Sequence, residues 1–307
     1  MYRRSLKKIA AAILSLLICF SVWGCGQSEA AAASQKLETA IEGIGTVSLE
    51  KQSEVADIRK QYNQASDEVQ AAVKNYDVLV QAEQEISNLK VEYVVQLIQE
   101  IGDVSLESEE KIRKAQTEYN SLTNNEKEQV TNYSDLTAAN DKLTSLIQAE
   151  KERILQEALE PLLEDTDKVQ GITWYLPSAL PWFNYTRPYV LPYLGIKGES
   201  AILRIRYYYT GEDWIFFDRL VFAIDGETYY KSLNYSDINR DTHSGDVWEG
   251  ADIVASSEDL ELLQKIADSK ETIIRFQGDR IYDLTVSDSD KTAIKQVLTA
   301  YEAQKSS

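Results

Sequence analysis

Histidine, cysteine and positive charge are what this sequence has least of. One His and two Cys in 307 residues leave too few soft ligands for a zinc, haem or iron–sulfur centre. Thirty-two Lys and Arg stand against 50 Asp and Glu, a formal net charge of −18. Phosphate neutralisation needs clustered basic residues, so nucleic acid is excluded as a partner. There is no G-x-S-x-G, no H-E-x-x-H and no G-x-x-x-x-G-K, so no catalytic signature is present and an enzyme is not expected. The one enzymatic class that motifs would miss is a glycosidase with two carboxylates drawn from distant positions. Glycine and proline are scarce in a telling way: none lies between Gly45 and Gly102, and none between Gly102 and Pro161. What is present is ordinary globular material, 43% apolar and 9% aromatic, in a length suited to two or three folding units.

Arg3, Arg4, Lys7 and Lys8 precede an apolar run from Ile9 to Trp23. A basic segment followed by about 15 apolar residues has the layout of a secretory signal and is short for a membrane span, which needs about 20. The run ends in Val22, Trp23, Gly24 and Cys25. This resembles the bacterial lipoprotein box, an aliphatic residue at −3 and a small one at −1 before a Cys, although Trp23 departs from the usual small residue at −2. The resemblance implies that Cys25 carries lipid and becomes the mature N-terminus. Cys19 leaves with the signal, so Cys25 has no disulfide partner. The other readings are an ordinary signal cut among the small residues Ser28 to Ala33 and an uncleaved anchor. Removing residues 1–24 takes away four positive charges and leaves the mature chain at −22, a body repelled by an anionic bilayer. Stable anchoring takes two acyl chains, which the implied diacylglyceryl group supplies.

Residues 27–35, QSEAAAASQ, read as a flexible tether. Beyond them IGTVSLE at Ile44–Glu50 recurs as IGDVSLE at Ile101–Glu107, an offset of 57. At that offset Val55 meets Ile112, Tyr62 meets Tyr119, Val73 meets Val130 and Asn75-Tyr76 meets Asn132-Tyr133. Matches at nearly every apolar position mark a duplicated unit. Val73, Tyr76, Leu79, Ala82, Ile86 and Leu89 keep helical spacing. Gly45 and Gly102 are suited to left-handed C-caps, Ser53 and Ser108 to capping a second helix, and Thr123 with Glu126 to a capping box. The absence of breakers predicts nearly unbroken helices over about 66–101 and 124–163, shared between units as a stalk. The pattern IG-x-V-S-L-E, the two Tyr positions and V-x-N-Y resemble the three-helix repeats of many Gram-positive surface proteins, over about residues 36–147. That likeness implies a spacer or adhesive module and brings no catalytic residue.

All five Pro, and every Trp and Phe of the mature chain, lie beyond residue 160. This composition shift marks a domain boundary. Strands are predicted over 169–175, 201–209, 214–224, 228–231 and 272–276, with Asp225-Gly226 as a hairpin turn. Leu203, Ile205, Tyr207 and Tyr209 alternate with Arg204 and Arg206 across two faces. Helices capped at Ser256 or Ser257 and at Ser287 complete an α+β domain with an antiparallel sheet. GITWY at Gly171–Tyr175 and RFQGD at Arg275–Asp279 resemble the C-terminal domain of uncharacterised bacterial lipoproteins, a likeness without assigned chemistry. The whole reads as a multidomain chain: signal 1–24, tether 25–35, helical repeats 36–92 and 93–150, helical linker 151–166 and α+β domain 167–307.

Two segments are candidate sites. Pro181–Tyr193, PWFNYTRPYVLPY, offers Trp182, Phe183, Tyr185, Arg187, Tyr189 and Tyr193 as a carbohydrate or peptide platform, because stiff aromatic surface binds at low entropic cost. Asp237, Asn239 and Asp241, with Asp246 and Glu249 nearby, have calcium-loop spacing. Position six, however, is Thr242 and Glu249 falls one residue late, so a solvated turn is the better reading and bound calcium the alternative. His243 in the same loop suits a surface residue better than a catalyst. No other cofactor is expected. The expected role is a membrane-anchored, extracytoplasmic, non-catalytic lipoprotein whose helical stalk presents a recognition or adhesion domain to a cell-wall glycan, peptide or protein. The rivals are a purely structural envelope spacer and an envelope carbohydrate hydrolase.

Overall fold

A computed structural model describes residues 26–181 and 186–306. The chain is a mixed α+β protein that divides at Asp141–Lys142 into two compact units. Cys25 and the apolar run before it lie outside the described residues. Among those described, no helix is long and apolar enough to cross a membrane.

The first unit is helical. Helix α1 spans Gly26–Gly43, α2 Gln52–Gln64, α3 Asp67–Ala72, α4 Tyr76–Gln99, α5 Glu109–Ser121 and α6 Asn124–Lys127, and α7 starts at Tyr133 and runs to Leu159. The expected tether is therefore helix. Alanine is the strongest helix former, and Ala30, Ala33, Ser34, Leu37 and Ile41 fall at helical spacing, so the stretch has an apolar stripe made of small side chains. Leu37, Ile41, Val55, Ile58, Leu79 and Ala82 form the core, and Ala30 and Ala33 pack against it.

The two long helices expected from the lack of breakers are each interrupted, at residues 73–75 and 128–132. Neither break needs Gly or Pro. Val73 and Val130 leave the helix to fill the core, and the following Asn side chains hold the turn: Asn75 Nδ2 donates to Glu38 O at 2.9 Å and Asn132 Nδ2 to Val95 O at 3.0 Å. Other features recur at the same spacing. Gly45 and Gly102 have φ of 60° and 62°, the left-handed caps expected. Tyr62 stacks on Tyr76 and Tyr119 on Tyr133, with ring centroids 4.6 and 4.1 Å apart. Thr123 and Glu126 make the expected capping box. Ser53 caps nothing, because a 3₁₀ turn at Leu49–Lys51 leads into α2 and puts Lys51 at its cap. Ser108 precedes α5 without a side-chain cap bond and instead closes a box with Ser105 on the 3₁₀ turn Leu106–Ser108.

The second unit holds two antiparallel sheets. Its strands are β1 Leu162–Asp167, β2 Ile172–Pro177, β3 Tyr189–Lys197, β4 Ser200–Gly211, β5 Arg219–Ile224, β6 Glu227–Ser232, β7 Ile238–His243, β8 Asp246–Val254, β9 Thr272–Gln277 and β10 Ile281–Thr285. Helix α8, Ser257–Asp268, lies between β8 and β9 in sequence, and α9, Asp288–Ser306, follows β10. The six-stranded sheet has the order β1-β2-β3-β4-β8-β7 and the four-stranded sheet β10-β9-β5-β6. Helix α7 ends at Leu159 and β1 begins at Leu162, so the expected linker helix stops short and the expected strand 169–175 is a turn followed by β2. Asp167 accepts from Val169 N and Gln170 N there, and Gly171 closes the turn at φ 66°. Asp225 and Gly226 take φ of 47° and 91°, the double left-handed turn that suits a two-residue hairpin. Strand β5 starts five residues later than expected, because Ile215–Phe217 are held by a side chain rather than by a neighbouring strand.

One core lies between the sheets and the two helices. Leu203, Ile205 and Tyr207 of β4, Leu220 and Phe222 of β5, Ile274 and Phe276 of β9, Leu263 and Ile266 of α8, and Ile294 and Val297 of α9 are all buried in it. Ser256 and Asp259 cap α8 reciprocally, and Ser287 caps α9 by accepting from Asp290 N.

Candidate functional site

Alternation on β4 sends its odd residues into the core and leaves Arg204, Arg206 and Tyr208 on the other face of the six-stranded sheet. Register places their neighbours. Tyr193 lies opposite Arg204 and Tyr189 opposite Tyr208, Asp252 opposite Arg206 and Trp248 opposite Thr210, and Trp174 opposite Gly195. Directly opposed residues share a face, so four strands bring two tryptophans, three tyrosines, two arginines and an aspartate onto one surface.

Asp252 is the centre of this surface. It accepts from Tyr193 Oη at 2.8 and 2.9 Å, from Arg204 Nε at 2.8 Å and from Arg206 Nε at 3.0 Å. Arg204 also donates through Nε to Tyr193 Oη and through Nη2 to the Asp252 carbonyl, and the Arg206 guanidinium lies 4.6 Å from the Tyr193 ring centre. Burial opposes the charges on both arginines, but their contacts with Asp252 and Tyr193 outweigh it and hold them above their ordinary range. Burial, then the bond to Asp252, pushes the Tyr193 phenol up. Two cations share this one anion, and Glu164 and Asp165 line the cavity next to Arg206.

Aromatic rings flank this centre. Trp174 covers Gly195, where a Cβ would stand 2.5 Å from its ring, and Tyr208 covers Gly250 in the same way at 2.4 Å. Trp174 and Tyr193 have ring centres 5.3 Å apart, and Tyr208 stacks between Tyr189 and Trp248. Trp174, Trp248, Arg204 and Arg206 are partly exposed, whereas Tyr189, Tyr193 and Tyr208 are buried. A cavity of about 460 Å³ opens beside Arg206, between Leu163, Leu176, Leu180 and Pro181.

On the opposite face of β8, Glu249 pins the strand. Its wholly buried carboxylate accepts from the consecutive amides of Ile215, Phe216 and Phe217 at 2.7, 2.8 and 3.1 Å and from Arg240 Nε at 3.1 Å. This satisfies the charge that burial would otherwise penalise and anchors β8, which carries Trp248.

No family model matches the chain, and no curated protein or solved structure matches it either. The reading of the site therefore rests on its geometry.

The expected aromatic platform is reorganised. Trp182, Phe183 and Tyr185 lie outside the described residues. Tyr189 and Tyr193 are not presented as free rings, because they sit in β3 and are buried. Arg187 donates to Asp290 at 2.7 and 2.9 Å and to Ala179 O, so it ties the segment to α9. Pro192 stands within β3 opposite Ile205, where the β2 pairing has already ended at Leu194; a missing amide is tolerated on such an unpaired side. The candidate calcium segment is a 3₁₀ turn at Tyr235–Asp237 that leads into β7. Asn239 and Asp241 lie on β7 opposite Gly250 and Trp248, Asp241 accepts from Thr242 N, and Asp237 ends a 3₁₀ turn and accepts from Asn234. An extended strand spaces alternate residues about 7 Å apart instead of wrapping them round an ion. Among the described residues no three His, Cys, Asp or Glu side chains converge to hold a metal. His243 ends β7 opposite Asp246.

Trp174, Arg204, Arg206, Trp248 and Asp252 are not among the site candidates that the sequence offers. The available signal was the pair of arginines on the polar side of β4; which tryptophans join them depends on strand order.

Proposed function

We propose that this chain is a lipid-anchored, extracytoplasmic, non-catalytic protein in which tandem three-helix units carry a C-terminal domain that recognises a cell-envelope glycan. The observation that carries the recognition role is the outer face of the six-stranded sheet, with Trp174 and Trp248 on either side of the Arg204–Asp252–Arg206 centre. Sugar rings offer apolar C–H faces and a rim of hydroxyls. Tryptophan covers the former, and fixed guanidinium and carboxylate groups pair with the latter. Immobilising these groups in advance within the sheet lowers the entropic cost of binding. The recurrence of caps, tyrosine stacks and asparagine turns at a spacing of 57 supports the repeat reading of the helical unit. The Cys25 box supports the anchor.

The recognition role is tested by a glycan array probed with the full chain and with Trp174→Ala/Trp248→Ala. Binding by the native chain that the double variant loses is the expected result. Uniform absence of binding would favour a structural spacer, and turnover of peptidoglycan fragments would favour a hydrolase. The anchor is tested separately by metabolic labelling with a fatty-acid probe. The native protein should be labelled and Cys25→Ala should not; equal labelling refutes the anchor.

A further inference from the structure

The four-stranded sheet ends on an open edge beside a helix. β6 pairs with β5 alone among the described strands, and four of its six residues are exposed. An unpaired edge is a template for another strand unless it is covered or made repulsive, and β6 is short but neither bulged nor interrupted by Pro. Helix α8 runs antiparallel alongside it. Lys231 Nζ donates to Asp259 at 2.6 Å near the N-terminus of α8, and Lys265 Nζ lies 5.4 Å from the Tyr229 ring centre further along. Between strand and helix lie two cavities of about 250 and 230 Å³, and both are lined by Tyr229 and Lys265.

We propose that the groove between β6 and α8 is a docking site for an extended basic peptide, which adds to the sheet as a strand. Geometry favours strand addition: alternate side chains of an added strand point the same way, and two cavities divided by the Tyr229–Lys265 bridge receive two such side chains. Main-chain bonds along the edge then supply affinity and the cavities supply selectivity. Charge decides the occupant. Six acidic residues line the two cavities against Lys231 and Lys265. Lys231 is taken up by Asp259 and Asp268 faces Lys295, while Glu258 and Glu261 line the groove with no ion pair among the described residues. A second copy of the chain would bring the same acidic rim and be repelled. A peptide with Lys or Arg at alternate positions is attracted instead.

The probe is a fluorescent peptide of alternating Lys and Val, titrated into the full chain, with an alternating Glu–Val peptide as its counterpart. The Lys–Val peptide binds and the Glu–Val peptide does not. Two further versions carry N-methyl groups on odd or on even residues. One should lose at least tenfold in affinity and the other should not, because an added strand turns only every second amide toward the edge. Glu258→Lys/Glu261→Lys should weaken binding at least tenfold; because Glu258 stands in the first turn of α8, where a cation opposes the helix dipole, binding is compared well below the variant's own unfolding midpoint. Hydrogen exchange should slow at β6 amides in the complex. Trp174→Ala/Trp248→Ala should leave peptide binding unchanged, which separates this site from the glycan face. The proposal is overturned if the Lys–Val peptide fails to bind, if both N-methyl versions bind alike, if the charge reversal has no effect, or if the free chain dimerises through β6.

Discussion

A Cβ placed on Gly278 would stand 2.2 Å from the carbonyl oxygen of Phe216. Phe216 itself adopts φ 50°, a region that bulky residues rarely enter. Two further contacts lock this approach: the Phe216 amide donates to Glu249, and Arg280 N donates to Ile215 O. Gly278 belongs to the RFQGD segment, whose glycine thus has a steric role. We expect Gly278→Ala to destabilise the second unit by about 1–3 kcal/mol, the usual range for overpacking, as measured by urea unfolding followed by tryptophan fluorescence. A variant as stable as the native chain would mean that the 215–217 segment yields freely.

Glu249 holds that segment from the other side. Its side chain is 0% and that of Arg240 11% exposed. Replacing Glu249 by Gln removes the anion, leaves Arg240 with carbonyl and ring contacts but no counter-ion, and weakens three amide bonds. Breaking one side of a buried ion pair costs about 3–5 kcal/mol, so Glu249→Gln should unfold at markedly lower urea. Glu249→Gln combined with Arg240→Met should recover part of the loss, because no buried cation is then stranded.

Asp259 makes stability depend on acid. Burial pushes its carboxyl up, but Lys231 Nζ, Ser256 N and Ser256 Oγ together pull it below the ordinary aspartate value of 3.8. A group whose pKa falls on folding stabilises the native state above its unfolded pKa, and that contribution fades as pH drops through the folded value. Asp259→Asn should therefore cost about 2 kcal/mol at pH 6. The gap to the native chain should close as the pH falls below about 4, seen by following unfolding midpoints from pH 6 to pH 3. A gap independent of pH would rule out the ion pair as its source.

Gly195 decides whether Trp174 can lie against the sheet. A methyl group there displaces the indole from its seat, so Gly195→Ala should alter the near-ultraviolet circular dichroism of tryptophan. It should also weaken glycan binding about tenfold, about 1.4 kcal/mol. Unchanged binding together with a changed spectrum would remove Trp174 from the recognition surface.

Asn75 and Asn132 make equivalent bonds across the helical unit. Asn75→Ala and Asn132→Ala should each cost about 1 kcal/mol, similar to one another in chemical denaturation. A large inequality would show that the two turns are not energetically equivalent.

Much of the fold was legible where the signal is local. The 57-residue offset, the Thr123–Glu126 box, the Asp225-Gly226 turn and the division of β4 into Leu203, Ile205 and Tyr207 against Arg204 and Arg206 all follow from neighbours in sequence. The two helix interruptions are not legible because Val73 and Val130 keep the apolar spacing of the helices that follow and no Gly or Pro marks the break; what draws them out is burial in the core. β1, β7 and β10 are not legible because edge strands are polar and lack apolar alternation, and the internal strands β3 and β8 are not legible either: β3 holds Pro192 in an aromatic stretch without a clean period, and β8 mixes Asp246, Glu249, Gly250 and Asp252 with its apolar residues. The alanine stretch before Leu37 reads as a tether because small side chains carry little weight in a hydrophobic pattern, yet they pack well on a helix.

The sequence by itself determined the acidic character, the composition change near residue 160, the recurrence of residues at an offset of 57 and the two faces of β4, because composition, periodicity and capping act over a few residues. Only the tertiary structure decided which residues meet. A strand shows its two faces in sequence but not its neighbours, and a slip of one position in pairing would exchange them. Trp174, Tyr193, Arg206, Asp252 and Trp248 lie on four strands up to 78 positions apart, and strand order and register alone bring them together.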